Sequence, residues 1–206
     1  MSAGRRRGLA CLAIVGFGLV VIPASSSAYQ TSAEDTFQND IAMCMVRLKT
    51  SQARRFVVGS GAPPSSDRCL GAEWKQATIR VQTYRYLLAR VLLQQDYAGG
   101  IPSELSQLRA IPLVNDRSDR GAGDNDRQRL AIADCVIRKE PSKAFALVAT
   151  RAGEAEATPV MSALAPVVAA CSAGKRLRYP TGFEMHEAIV TRMYQLAYAA
   201  RKPRDA

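Results

Sequence analysis

The chain has 206 residues, of which 48% are hydrophobic and 22% charged, and its formal net charge is +10. These values lie near the averages of globular proteins, so they exclude a disordered or collagen-like chain. The length suffices for one ordinary domain or two small ones. With one histidine in the whole chain, most metal-binding and acid–base chemistries are excluded, and the composition names no reaction.

The first 28 residues have the pattern of a cleaved secretory signal peptide. Residues 5–7 are three arginines, residues 9–22 form an uncharged apolar run, and Ser26 and Ala28 supply small residues at the −3 and −1 positions. The run is shorter than the ~20 residues of a membrane-spanning helix. An uncleaved membrane anchor is the alternative. We expect a periplasmic or secreted chain without a transmembrane span, with a net charge of +7 after loss of the three arginines.

Four cysteines follow the signal sequence: Cys44, Cys69, Cys135 and Cys171. An even number of cysteines in an exported chain indicates disulfide bonds. The chain contains neither a CxxC pair nor a CxxCH motif, so zinc sites, thioredoxin-like redox chemistry and covalent haem lack support. We therefore expect no metal and no cofactor.

Two segments of the chain resemble each other. Residues 41–47 read I-A-M-C-M-V-R and residues 132–138 read I-A-D-C-V-I-R, with four identical positions. Arg90 and Arg192 each lie 21 residues after the second cysteine of their half. This pattern predicts an internal duplication, with chance similarity of two amphipathic helices as the alternative.

The duplication favours one disulfide within each half. Corresponding positions predict the pairs Cys44–Cys69 and Cys135–Cys171, although four cysteines allow three connectivities. The expected organisation is a signal peptide at 1–28, a first helical unit at 29–100, a linker and loop at 101–126, a second helical unit at 127–202 and a charged tail at 203–206.

Helical periodicity dominates the first unit. A first helix is expected to face the core with Phe37, Ile41, Cys44, Met45 and Leu48. Thr50 or Ser51 can cap a short second helix. Another helix is expected from Glu73 to Gln95, and a short turn of helix after Ile101.

The second unit has the same helical character. Pro141 suits the first turn of a helix that reaches about Ala149. A further helix carries Met161, Leu164 and Cys171, and Pro166 should kink it or make it start late. A last helix extends to about Ala200. Because alternating strand patterns are nearly absent, the sequence predicts an all-α fold. Two arrangements stay open, namely one core shared by both units and two independent units.

Candidate catalytic residues are few. His186, flanked by Glu184 and Glu187, offers an imidazole next to two carboxylates. At the beginning of a helix such a cluster more commonly lies on the solvated surface, and that is the expectation.

The basic excess is concentrated in the first unit. Between Arg47 and Arg90 there are nine basic and two acidic residues. The candidate binding residues are Arg54, Arg55, Trp74, Arg80 and Arg85. They could contact the phosphates of lipopolysaccharide or another polyanion, whereas export argues against nucleic acid as the partner. A scattered, solvated set of charges is the alternative.

These observations favour an exported, disulfide-stabilised helical protein that binds a ligand or protein partner in the cell envelope without catalysis. A groove between the two units is the expected site. Two alternatives stay open. One is an enzyme that acts on an envelope polymer through a glutamate general acid, and the other is an electrostatic polyanion binder.

Overall fold

The computed structural model describes residues 27–66, 68–69, 80–108, 124–174 and 181–201. Almost all of the expected signal peptide, the central part of the expected linker and the tail at 203–206 lie outside the described residues, as does Trp74. What we predict for these segments stays a prediction.

Helices account for all regular structure in the described ranges, which confirms the all-α class for them. They are α1 (Ser27–Val57), α2 (Val81–Asp96), α3 (Asp124–Lys139), α4 (Pro141–Ala146), α5 (Ala157–Ser172) and α6 (Gly182–Arg201). Short 3-10 helices occupy Ser103–Ser106 and Leu147–Ala149. Among the described helices, none combines the length and the apolar character that a membrane crossing requires.

The first helix breaks where the sequence predicts a boundary between two helices. Lys49 leaves helical geometry, with φ −135° and ψ 38°. The hydroxyl of Thr50 donates a hydrogen bond to the carbonyl of Val46 at 2.5 Å rather than capping the next turn. The short segment after the break buries Phe56 and Val57 in the core.

The buried face of α1 differs from the expected one. Phe37 and Leu48 are 36% and 43% exposed, so their assignment to the core is wrong. The side chains buried in this part of α1 are Ile41, Ala42, Met45 and Val46. The reason is that α1 packs mainly on the single helix α2, which covers a narrower stripe than the periodicity suggests.

Helix α2 begins at Val81, and residues 73–79 of the helix predicted from Glu73 lie outside the described residues. Arg80 has φ −59° and ψ 135°, which is extended backbone, and therefore interrupts the predicted helix. The apolar residues with helical spacing, from which this helix was predicted, all lie at or after Val81.

In the second unit, most boundaries agree with expectation. Pro141 occupies the first turn of α4, as predicted. Helix α3 extends from Asp124 to Lys139, so its first residues lie inside the expected linker. Helix α5 continues through Pro166 to Ser172, so a late start is wrong.

Both predicted disulfides are present. Cys44 of α1 is joined to Cys69, with the Cα atoms 5.6 Å apart, and Cys135 of α3 is joined to Cys171 near the end of α5, at 5.9 Å. Each bond thus lies within one predicted unit and connects two of its segments. The internal duplication itself stays a prediction.

The two units share one hydrophobic core. A single cluster of buried side chains includes Phe56 of α1, Leu92 of α2, Ile137 of α3 and Leu164 of α5. Helix α6 lies at its centre, since every residue from Met185 to Ala197 is buried. It packs against α2 and α3 above all.

We expect the double variant Cys135→Ser/Cys171→Ser to lose about 3–4 kcal/mol in its free energy of unfolding. The bond closes a sequence separation of 36 residues, and its loss enlarges the unfolded ensemble. Urea denaturation followed by circular dichroism measures the change. A loss below about 1 kcal/mol would show that the bond contributes little.

Candidate functional site

A groove large enough for a ligand lies between α5 and the beginning of α6. It has a volume of about 530 Å³, within the roughly 300–1,000 Å³ typical of ligand sites. One face of α5 lines it mainly with small side chains, together with Met161 and Val168, and Met185, His186 and Phe183 of α6 line the other side. We call it the α5–α6 groove, and its lining is mostly apolar.

The groove exists because α5 packs on α3 and α4 rather than closely on α6. The Cys135–Cys171 disulfide ties the end of α5 to α3. Ser162, Ala165 and Ala169 are too small to fill the remaining gap. The groove therefore has two causes: α5 is anchored to α3 and α4, and its small side chains do not fill the gap to α6.

His186 lies buried beside this groove, with 1% of its surface exposed. Its Nε2 is 3.1 Å from the carbonyl oxygen of Leu147, which can only accept a hydrogen bond, so Nε2 carries the proton. Nδ1 has no hydrogen-bond partner among the described residues. Burial lowers the pKa of His186 to about 4, the nearby Arg90 acts in the same direction, and the imidazole is neutral at pH 7.

A second cavity, of about 190 Å³, lies between the predicted units. We call it the inter-unit cleft. The guanidinium of Arg129 binds Asp126 at 2.7 Å and Glu184 at 2.8 Å inside it. Glu184 also forms a capping box with Thr181: its carboxylate accepts from the backbone N–H of Thr181, while its own N–H donates to the Thr181 hydroxyl. Glu184 thus begins α6 and joins it to α3.

Glu187 lines the inter-unit cleft and is only 6% exposed. Burial raises the pKa of this carboxyl, whereas the Thr83 hydroxyl and the charge of Arg80 oppose the rise. His186 and Glu187 are neighbours on α6, but a step of about 100° along the helix directs them to different cavities. The expectation that they lie on the solvated surface is wrong, because α6 is covered on several sides.

The structure does not bring the candidate basic residues together. Arg54 is ion-paired with Asp96 at 2.6 Å near the end of α2, and Arg55 beside it is exposed. Arg80 lies at the other end of α2, about 24 Å away along the helix. Arg85 is buried under the ring of Phe56, with 4.8 Å between the guanidinium carbon and the ring centroid.

The sequence interpretation missed the α5–α6 groove and the cationic pair at Arg90 and Arg151. Both arginines line a small cavity that also contains Phe183, a residue of the groove wall. A signal for the groove is present in the sequence, because residues 157–172 are rich in Ala and Ser on one helical face. Nothing local indicates that Arg90 and Arg151 meet, since 61 positions separate them.

Within the described ranges, no group of three or more histidine, cysteine or acidic side chains could hold a metal ion. Comparisons with protein-family models, with curated proteins and with solved structures found no match for this chain. The function therefore has to be inferred from the cavities and their chemistry.

We expect the free energy of unfolding to decrease by about 3 kcal/mol as the pH falls from 7 towards 4 because of His186. The folded-state pKa of about 4 lies below the 6.5 of a free imidazole, so the unfolded chain binds the proton more readily between these values. Urea titrations of the wild type and of His186→Gln at several pH values measure this contribution.

The control for this measurement is the same comparison in a Glu187→Gln background. The raised pKa of Glu187 acts with the opposite sign, because the folded chain then takes up a proton more readily than the unfolded one. An equal pH dependence with and without His186 would contradict the prediction.

Proposed function

We propose that this protein is an exported component of the cell envelope that binds a small, largely apolar molecule in the α5–α6 groove without catalysis. The observation that carries the proposal is the groove itself, at about 530 Å³ and with a mostly apolar lining. Two disulfides are compatible with an extracytoplasmic protein, and they support the proposed export.

The site differs in position from the groove expected between the units. That space is the inter-unit cleft, which is about 190 Å³ and lined by charged side chains. The α5–α6 groove lies within the second unit, and its small side chains leave a mainly apolar surface uncovered. Exposed apolar surface of this kind marks a ligand or partner site more commonly than it marks inert surface.

Ala169→Trp is expected to weaken binding of the neutral fluorescent probe N-phenyl-1-naphthylamine at least tenfold. Ala169 lines the groove, and an indole ring there occupies space that the probe needs. Fluorescence titration measures the affinity. Ala170→Trp is the matched control, because Ala170 is exposed on the same helix but does not line the groove.

Equal affinities of the two tryptophan variants would overturn the groove as the binding site. The protein for this titration is prepared from the envelope fraction of its native host. Its amino terminus then tests export, since cleavage of the expected signal peptide leaves a chain that begins near Tyr29.

A second candidate function is hydrolysis of an envelope polymer with Glu187 as general acid. It is favoured by the burial and raised pKa of Glu187 inside the inter-unit cleft, as a carboxyl that donates a proton near neutral pH requires. Glycoside hydrolysis commonly uses a second carboxylate, whereas Asp126 and Glu184 are both bound to Arg129. This pairing favours binding over catalysis.

If the second candidate is correct, Glu187→Gln lowers the release of soluble fragments from purified peptidoglycan at least a hundredfold. Glu156→Gln removes the same charge from an exposed position outside the cleft and serves as the control. No release by the wild-type protein, or equal release by both variants, would exclude Glu187 as the general acid.

The third hypothesis is electrostatic binding of lipopolysaccharide or another polyanion. The positions of the candidate arginines in the structure give it less support. Arg54 and Arg80 lie near opposite ends of α2, and Arg85 is buried. A polyanion would need exposed cations that form one continuous surface.

A further inference from the structure

Arg90 is a buried cation without a carboxylate partner in the described part of the chain. It is 7% exposed, and its guanidinium donates to the carbonyl of Val148 at 3.2 Å and to the side-chain oxygen of Asn39 at 3.0 Å. Both acceptors are neutral. Burying a charge without an opposite charge is costly, so such a site commonly binds a counter-charge.

A second guanidinium lies in the same place. Arg151 and Arg90 line one cavity of about 20 Å³ together with Thr83, Asn39 and Phe183. We call it the head pocket. A water molecule needs about 10–15 Å³, so the head pocket has room for one or two oxygen atoms. Such a size suits a planar carboxylate better than a tetrahedral phosphate.

The carboxylate of Glu154 only partly balances these two cations. Its oxygen lies 3.3 Å from the Arg151 guanidinium, and both side chains are about a third exposed, at 34% and 30%. An ion pair of this length and exposure is weak, so a ligand carboxylate can replace it. Two guanidinium groups and one carboxylate leave the cluster with one net positive charge, which one carboxylate would neutralise.

The head pocket adjoins the α5–α6 groove. Phe183 lines both cavities, and Glu154, which pairs with Arg151, lines the groove. Gly153 allows this arrangement, because it has φ +88° and a Cβ at this position would lie 3.3 Å from the Phe183 ring. Phe183 thus forms a common wall of the cationic head pocket and the apolar groove, and it is 36% exposed.

We propose that the α5–α6 groove binds an alkyl-chain carboxylate, with the chain in the groove and the carboxylate in the head pocket against Arg151 and Arg90. This inference rests on the proposed function, because it names the class of ligand for the same groove. Arginine binds carboxylates through two parallel hydrogen bonds, and this geometry is the source of the selectivity. The net charge of +7 expected for the mature chain also attracts an anionic ligand.

The test is displacement of N-phenyl-1-naphthylamine from the full mature protein by dodecanoate and by dodecanol at pH 8. The two competitors share a chain length and differ in the head group. We expect dodecanoate to bind at least tenfold more tightly than dodecanol. Equal affinities, or tighter binding of dodecyltrimethylammonium, would overturn the carboxylate assignment.

Three variants locate the head group. Arg151→Gln is expected to weaken dodecanoate at least fivefold and to leave dodecanol unchanged. Arg127→Gln removes a charge from an exposed position on α3 and should change neither affinity. Glu154→Gln should strengthen dodecanoate severalfold, because it removes the carboxylate that competes for Arg151. An equal effect of Arg151→Gln and Arg127→Gln on dodecanoate would count against the head pocket.

Failure of this inference is distinguishable from failure of the proposed function. If dodecanoate and dodecanol compete equally and Ala169→Trp weakens both, the groove binds apolar chains and the carboxylate assignment is wrong. If Ala169→Trp and Ala170→Trp bind the probe equally, the groove is not the binding site, and the proposed function and this inference both fall.

Discussion

The burial of α6 is the constraint on which the rest of the structure depends. Thirteen consecutive residues of this helix, from Met185 to Ala197, are buried, so its polar side chains cannot rely on water. Most of them have protein partners. Arg192 binds Asp134 at 2.7 Å, and Gln195 donates to the carbonyl of Val57 at the end of α1 at 2.9 Å. These contacts place α6 in a defined rotation against both units, because any other rotation would leave a buried charge unpaired.

The rotation of α6 also determines the two cavities. His186 donates to Leu147 at 3.1 Å and lines the α5–α6 groove, whereas Glu187, one residue later, lines the inter-unit cleft. Glu184 is held by Arg129 and by the capping box with Thr181, which fixes the beginning of the helix. A single buried helix thus supplies one wall of an apolar groove and one wall of a charged cleft. The three neighbouring polar residues consequently have three different roles.

The disulfides illustrate why part of the fold was predictable. Their pairing follows from the positions of Cys44 and Cys135 in two similar helical segments, and the structure contains both predicted bonds. The break at Lys49 and the position of Pro141 were also predictable from the sequence, since helix boundaries depend on nearby residues. The exposure of Leu48 and the burial of Glu187 were not predictable in this way, because exposure depends on how many neighbouring helices cover a face. Leu48 is exposed on α1, which packs mainly on α2, whereas Glu187 is buried on α6, which has several neighbouring helices.

By itself, the sequence determined the helical class and most helix positions, because these follow from residue spacing and local backbone preference. It also predicted the disulfide pairs, through the similarity of the two segments around Cys44 and Cys135. It also contained the small side chains of α5 that leave space for a groove. Only the tertiary structure decided that His186 is buried, that α5 stands away from α6, and that Arg90 and Arg151 line one cavity with Phe183. These facts depend on contacts between segments that are distant in the chain, and local periodicity contains no information about which faces such segments present to each other.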